Sequence, residues 1–151
     1  MRTLIVEDEI VAAYRLSRML KSIDPNIQVV QTIDTVKDSV DFLSTNCVDL
    51  IFMDVQLTDG LCFEIFETLT VETPVIFTTA YDQYTLKAFK VHSIDYLLKP
   101  IHPDELKASL NKLAKMSAIS VLAIRKMMET TAKDMTYKNA SWLNQDMALF
   151  L

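Results

Sequence analysis

The stretch Leu50-Ile51-Phe52-Met53-Asp54 is an apolar run that ends abruptly in a carboxylate. An apolar run without polar alternation fits a strand buried on both faces, not one with a wet side. Asp54 then stands at the strand's carboxyl end, where open α/β sheets place their chemistry. Leu4-Ile5-Val6 stops the same way at Glu7-Asp8-Glu9, and Val75-Ile76-Phe77 runs into Thr78-Thr79. Residues 94–98, interrupted by Asp95, lead into Lys99-Pro100. Carboxylates, hydroxyls and an ammonium at successive strand ends imply one assembled polar site.

The segments between these runs carry helical spacing. Residues 10–21 place Ala12, Leu16, Met19 and Leu20 on one side, and Asp24-Pro25-Asn26 ends the pattern with turn chemistry. Residues 27–33 form a second, less apolar strand, suited to a sheet edge. Asp34 or Thr35 can cap a helix reaching about residue 45, with Val36, Val40 and Leu43 on one face. After the loop 55–59 and the chain's single glycine, Gly60, the spacing predicts a helix with Leu61, Ile65, Phe66 and Leu69 along one side. A short helix over 82–91 would turn Leu86 and Phe89 inward, and Pro103 opens a last helix with Leu106, Leu110 and Leu113 inward.

Five βα units in succession give a parallel sheet covered on both faces, and right-handed crossovers leave few topologies. The expected architecture is an α/β three-layer sandwich whose five-stranded parallel sheet has the order 2-1-3-4-5. An antiparallel α+β domain fits less well, because the strands are apolar on both parities. Residues 1–116 make the expected domain. In residues 117–151, positions 118–132 can extend the last helix or form a sixth, and 134–151 have no clear period.

Half of the 151 residues are hydrophobic, enough for a sizeable core. No run approaches a membrane span, and the first residues lack a leader pattern, so a cytoplasmic setting is expected. Cys47 and Cys62 lack metal-ligand spacing and are expected to be reduced. Residues 1–116 hold 17 acidic against 11 basic side chains, whereas 117–151 hold 3 against 4. An acidic body argues against nucleic-acid contact by this segment and suits a divalent cation or a basic protein surface.

Asp8 and Asp54 fall on strands that the expected order makes neighbours. Carboxylates brought this close repel, so the cluster needs a cation or takes up protons. Oxygen ligands of this kind suit magnesium or manganese. Lys99 adds positive charge and Thr79 a hydroxyl. Around one point, such a set can hold a phosphoryl group on Asp54. Read singly, Lys99 is more often a solvated loop lysine and Thr79 a satisfied strand-end hydroxyl; the joint placement favours a site.

Four motifs in order carry a resemblance to a known family: 4–9 (Leu-Ile-Val-Glu-Asp-Glu), 51–57 (Ile-Phe-Met-Asp-Val-Gln-Leu), 77–82 (Phe-Thr-Thr-Ala-Tyr-Asp) and 95–100 (Asp-Tyr-Leu-Leu-Lys-Pro). They resemble the receiver domain of two-component response regulators, with its flavodoxin-like fold. The run 88–100 further resembles receivers attached to LytTR-type DNA-binding domains. The resemblance implies that Asp54 accepts a phosphoryl group from a phosphohistidine on a sensor histidine kinase. It implies magnesium, replaceable by manganese, held by Asp8, Asp54 and the backbone carbonyl of Gln56, with Glu7 acting through a water. Lys99 would pair with the phosphoryl oxygens, Thr79 would move to meet one, and Tyr96 would turn inward as a switch. The face of the fourth predicted helix, fifth strand and fifth helix, with Lys87, Lys90, Asp95 and Lys107, would form a homodimer.

Four positions depart from the family pattern: Thr58 replaces a usual proline, Cys62 a usual glycine, and His92-Ser93 a common Gly-Ala. None is a phosphoryl ligand. The resemblance implies no catalytic turnover beyond slow self-phosphorylation from small donors and slow self-dephosphorylation. A magnesium-dependent aspartyl phosphohydrolase of the haloacid-dehalogenase type would need a second carboxylate where Gln56 stands. A flavodoxin-like cofactor binder would need a glycine-rich phosphate loop where Glu7-Asp8-Glu9 stands. The chain is thus expected to be a stand-alone receiver or the receiver part of a LytTR-type transcriptional regulator, with 117–151 a helical extension or linker.

Overall fold

The computed structural model describes residues 1–80 and 93–137. Strands β1 (Arg2–Val6), β2 (Gln28–Ile33) and β3 (Leu50–Asp54) alternate with helices α1 (Ile10–Ile23) and α2 (Val36–Thr45). A two-stranded hairpin, β4 (Gln56–Leu57) and β5 (Gly60–Leu61), precedes α3 (Phe63–Thr68). Strands β6 (Val75–Thr79) and β7 (Ser93–Leu98) and helix α4 (Pro103–Tyr137) follow. The main sheet has the order β2-β1-β3-β6-β7, with every neighbouring pair parallel. This is the expected 2-1-3-4-5 order. The predicted helix over 82–91 lies outside the described residues, as do Lys87, Lys90 and His92.

The uninterrupted apolar runs explain why β1, β3 and β6 are central. All five residues of β3 and all five of β6 are buried. Successive side chains alternate between two cores. Leu4, Val6, Ile51, Met53 and Phe77 meet α2 and α3 through Val36 and Ile65. Ile5, Phe52 and Ile76 meet α1 and the start of α4 through Leu16, Leu20 and Leu106. Rings from α3 reach the same β6 residue: Phe63 and Phe66 lie with centroids 5.8 and 6.0 Å from that of Phe77. Only the last residue of β2, Ile33, is buried, in keeping with its place at the sheet edge.

The sequence pattern misjudged the segment after β3. Leu61, expected on a helix, pairs instead with Gln56 across the hairpin, and α3 runs only six residues, with Leu69 as its C-cap. The cause is Gly60, whose φ of 154° lies where side-chain-bearing residues are strained, so the chain reverses there before helix can begin. On α1 it is Ala13, not Ala12, that is buried beside Leu16 and Leu20.

The chain divides into two compact units, Met1–Leu113 and Ala114–Leu151. Helix α4 begins at Pro103 as expected and buries Leu106 and Leu113 in the first unit. It includes 118–132 without a break, so that segment continues the last helix. In the second unit Ile119, Leu122, Ile124 and Met127 are exposed. No helix among the described residues is long and apolar enough to cross a membrane.

Candidate functional site

Parallel pairing sets the site at one end of the sheet. Val6 stands opposite Met53, Asp54 opposite Thr78, and Thr79 opposite Leu98. The residues that follow these strands therefore converge. The Lys99 backbone N–H donates to the Thr79 carbonyl at 2.7 Å, and the Val55 N–H donates to the Thr78 carbonyl at 3.1 Å, extending the ladder by one step at each tip. The Glu7 N–H donates to the Ile33 carbonyl at 2.8 Å, fixing the first strand's exit.

The Lys99 ammonium lies 2.6 Å from Glu7 Oε2 and 3.1 Å from Asp54 Oδ2. One carboxylate oxygen from each of Glu7, Asp8 and Asp54 lies within 4.8 Å of the other two. Glu7 and Asp54 are buried, at 5% and 6% exposure, and Asp8 is half-buried. Asp8, Asp54, Gln56, Thr79 and Lys99 line one cavity of about 160 Å³, together with Glu9 and Ala80. Thr79 is buried beside it. The structure thus brings together Glu7, Asp8, Asp54, Gln56, Thr79 and Lys99. Tyr96 does not line this cavity; it is half-buried against the core that contains Phe77.

Electrostatics follow from this crowding. Burial pushes the Glu7 carboxyl up to about 7; the Lys99 hydrogen bond opposes that, and the Asp54 charge reinforces it. Burial alone would lower Lys99, but the Glu7 and Asp54 carboxylates outweigh it and hold the ammonium above its usual range. Among the described residues one ammonium faces three carboxylates, which leaves an excess of negative charge. The donor set is all oxygen, with a neighbouring cavity of a few water volumes, which is the chemistry a magnesium- or manganese-sized cation takes. Burial and the charge of Asp54 push the Cys62 thiol far up, so it stays protonated and inert.

Two contacts were not read from the sequence. Asp59 accepts from the Val36 and Lys37 backbone N–H groups at 2.7 and 3.1 Å, tying the turn of the hairpin to the start of α2. Asp59 fell in the expected loop 55–59, but nothing local pointed to a partner 23 residues away. Asp95, expected on a dimer face, accepts from the Ser109 hydroxyl at 2.7 Å and so binds β7 to α4 within the chain.

A doubly wound α/β domain with an acidic cluster and a lysine at its strand tips belongs to a small class of folds built around one strand-end carboxylate. The family model of the response regulator receiver domain matches residues 3–111, and the chain belongs to that family. Among its relatives, the sensory transduction protein LytT of Enterococcus faecalis is 38% identical over 118 residues, covering 76% of this chain and 48% of LytT. The transcriptional regulatory protein LytR of Staphylococcus aureus is 31% identical over 121 residues, covering 78% of this chain and 49% of LytR. These relatives match the expected likeness to receivers of LytTR-type regulators. The chain spans about half the length of the curated relatives it matches. Among solved structures, the response regulatory domain of mrkE from Klebsiella pneumoniae superposes with a TM-score of 0.68 at 30% identity, covering 77% of this chain and 97% of that one. The non-phosphorylated HemR receiver domain from Leptospira biflexa gives 0.63 at 26% identity, covering 74% and 92%.

Proposed function

We propose that this receiver takes a phosphoryl group onto Asp54 from a phosphohistidine of a sensor histidine kinase, and that the acyl phosphate switches an output or dimerisation surface. The observation that carries this reading is the Lys99 ammonium placed between Glu7 and Asp54, beside a cavity that also takes in Asp8, Gln56 and Thr79. In the step, an Asp54 carboxylate oxygen attacks phosphorus as the phosphorus–nitrogen bond breaks, and the imidazole leaves with the bond's electron pair. Asp8, Asp54 and the Gln56 carbonyl would hold magnesium or manganese, with Glu7 through a water, and the ion would supply positive charge to the phosphoryl oxygens. Lys99 gives up its Asp54 contact to pair with one of those oxygens, and the Thr79 hydroxyl donates to another. Movement of Thr79 toward the phosphate leaves space into which Tyr96 turns, altering the face formed by β7 and the start of α4. A homodimer through that face would carry the signal.

The protein on this reading is no turnover enzyme. It labels itself slowly from small phosphodonors and loses the group slowly to water, because Gln56 offers no carboxylate to activate a nucleophile. The names of the LytT and LytR relatives favour a receiver that belongs to a LytTR-type transcriptional regulator; its proposed setting is the cytoplasm. Residues 1–116 would then be the receiver, and 117–151 the link toward a DNA-binding output domain, with no nucleic-acid contact by the acidic receiver itself.

Incubation with acetyl phosphate and magnesium, followed by intact-mass measurement, tests the acceptor. Wild type gains one phosphoryl group and Asp54→Asn gains none. Undiminished labelling of Asp54→Asn would move the acceptor elsewhere and end the reading.

A further inference from the structure

We infer that Asp59 is a positioning residue for the Gln56 carbonyl: by bonding the start of α2, it holds the loop after Asp54 in the shape that presents this carbonyl to a divalent cation. The inference rests on the reading of Asp8, Asp54 and Gln56 as the cation site.

Asp59 sits in the two-residue turn of a very short hairpin whose only pairs are Gln56 with Leu61 and Leu57 with Gly60. Two such pairs are too few to hold a shape by themselves. Gly60 adds backbone freedom, and Thr58 supplies no ring to lock its own φ. The restraint comes from both ends of the loop. At its base the Cys62 N–H donates to the Val55 carbonyl at 2.8 Å, between two fully buried residues. At its tip the Asp59 carboxylate spans two N–H groups of the first turn of a ten-residue helix, at 2.7 and 3.1 Å. Those N–H groups have no partners within the helix and carry its positive end, so they favour a carboxylate over any neutral acceptor. Gln56 lies between the two anchors, its own N–H 3.4 Å from Asp54 Oδ1, and the residue lines the cavity beside Asp8 and Asp54. Releasing the tip frees the strand that carries the carbonyl while leaving both carboxylates in place.

Titration of the whole chain with Mn²⁺, read by electron paramagnetic resonance of the free ion, separates this role from simple helix capping. Asp59→Ala should weaken Mn²⁺ binding by about tenfold, the usual scale for losing a group that orients a metal ligand. Asp59→Asn should lose less, since its amide oxygen still accepts from one N–H. Thr35→Ala removes the other side-chain acceptor at the same helix start, where the Asp38 N–H donates to Thr35 Oγ1 at 3.1 Å. It should lower the melting temperature and leave Mn²⁺ affinity unchanged. Wild-type affinity in Asp59→Ala, or an equal loss in Thr35→Ala, would overturn the inference. A wild-type chain that binds no Mn²⁺ would overturn the cation-site reading beneath it.

Discussion

Helices α1 and α2 both begin at the same end of the sheet, one after β1 and the other after β2, yet their starts are built differently. At α2, Thr35 accepts from Asp38, Asp59 accepts from Val36 and Lys37, and Asp38 adds negative charge to the first turn. At α1, the N-cap is Glu9, its side chain caps nothing, and the first turn holds no acidic residue. Ile10, Val11 and Tyr14 are exposed there, at 85, 63 and 61%. Three carboxylates precede α1, but Glu7 is held by Lys99 and Asp8 is gathered with Asp54. Glu7 Oε1 still accepts from the Glu9 N–H at 3.1 Å, but neither carboxylate of the shared polar centre reaches the first-turn N–H groups, and the helix beside that centre is left to be held by its buried face. The neighbouring helix, farther from the lysine, carries the caps and anchors the loop.

The contrast breaks most sharply at Lys99. Among the described residues its ammonium is the one positive group paired with the two buried carboxylates, and Lys99→Ala leaves both without it. The expected cost is about 3 kcal/mol in metal-free protein, because breaking a buried pair strands the remaining charge. Urea unfolding measures it, and magnesium should return part of the loss to the variant. A variant as stable as wild type without metal would mean that the carboxylates are neutralised by some other route.

The unequal legibility of these regions has a physical cause. Strands β1, β3 and β6 could be read because burial on both faces demands an unbroken apolar run, and so could their order, because βα units leave few alternatives. The convergence of Glu7, Asp8, Asp54, Thr79 and Lys99 followed from that order and from the family resemblance together. The segment 56–69 could not be read correctly, since Leu61, Ile65, Phe66 and Leu69 satisfy helical spacing whether or not a hairpin intervenes. Asp59 was opaque for a different reason: its partners are backbone N–H groups, and backbone leaves no trace in side-chain pattern. The Ser109–Asp95 bond was hidden similarly, because a serine on an apolar helix face looks like a small spacer until the strand opposite is known.

At α2, Thr35→Ala should cost about 1 kcal/mol, the ordinary value of a lost N-cap, measured by thermal or urea unfolding. Asp59 gives the same helix start a pH signature. Its backbone hydrogen bonds from Val36 and Lys37 hold its carboxyl below the usual 3.8 despite some opposing desolvation. A carboxyl lowered by folding stabilises the protein above its unfolded pKa, and that contribution fades as acid protonates it. The gap in melting temperature between wild type and Asp59→Asn should therefore be full at neutral pH and close below about pH 4, the ordinary carboxylate range. A gap that stays constant into acid would mean that the charge of Asp59 contributes nothing to holding α2.

The smallest effect is expected where a cap is installed and not removed. Glu9 already has the extended backbone of an N-cap, with φ −87° and ψ 112°, so a short hydroxyl can reach back to the open N–H groups of the first turn of α1. Glu9→Ser should raise stability by about 0.5 kcal/mol through that bond. Removing one negative charge from the rim of the acidic cavity acts in the same direction in the absence of metal. The same loss of charge makes the cavity less attractive to a divalent cation, so Mn²⁺ affinity should fall slightly while the metal-free melting temperature rises. Opposite movement of the two readouts is what a helix start left uncapped beside the acidic centre requires, if that centre is the proposed cation site. If Glu9→Ser lowers both, Glu9 helps to hold the strand-tip cluster in place, and the open start of α1 is not a consequence of the site's demand for negative charge.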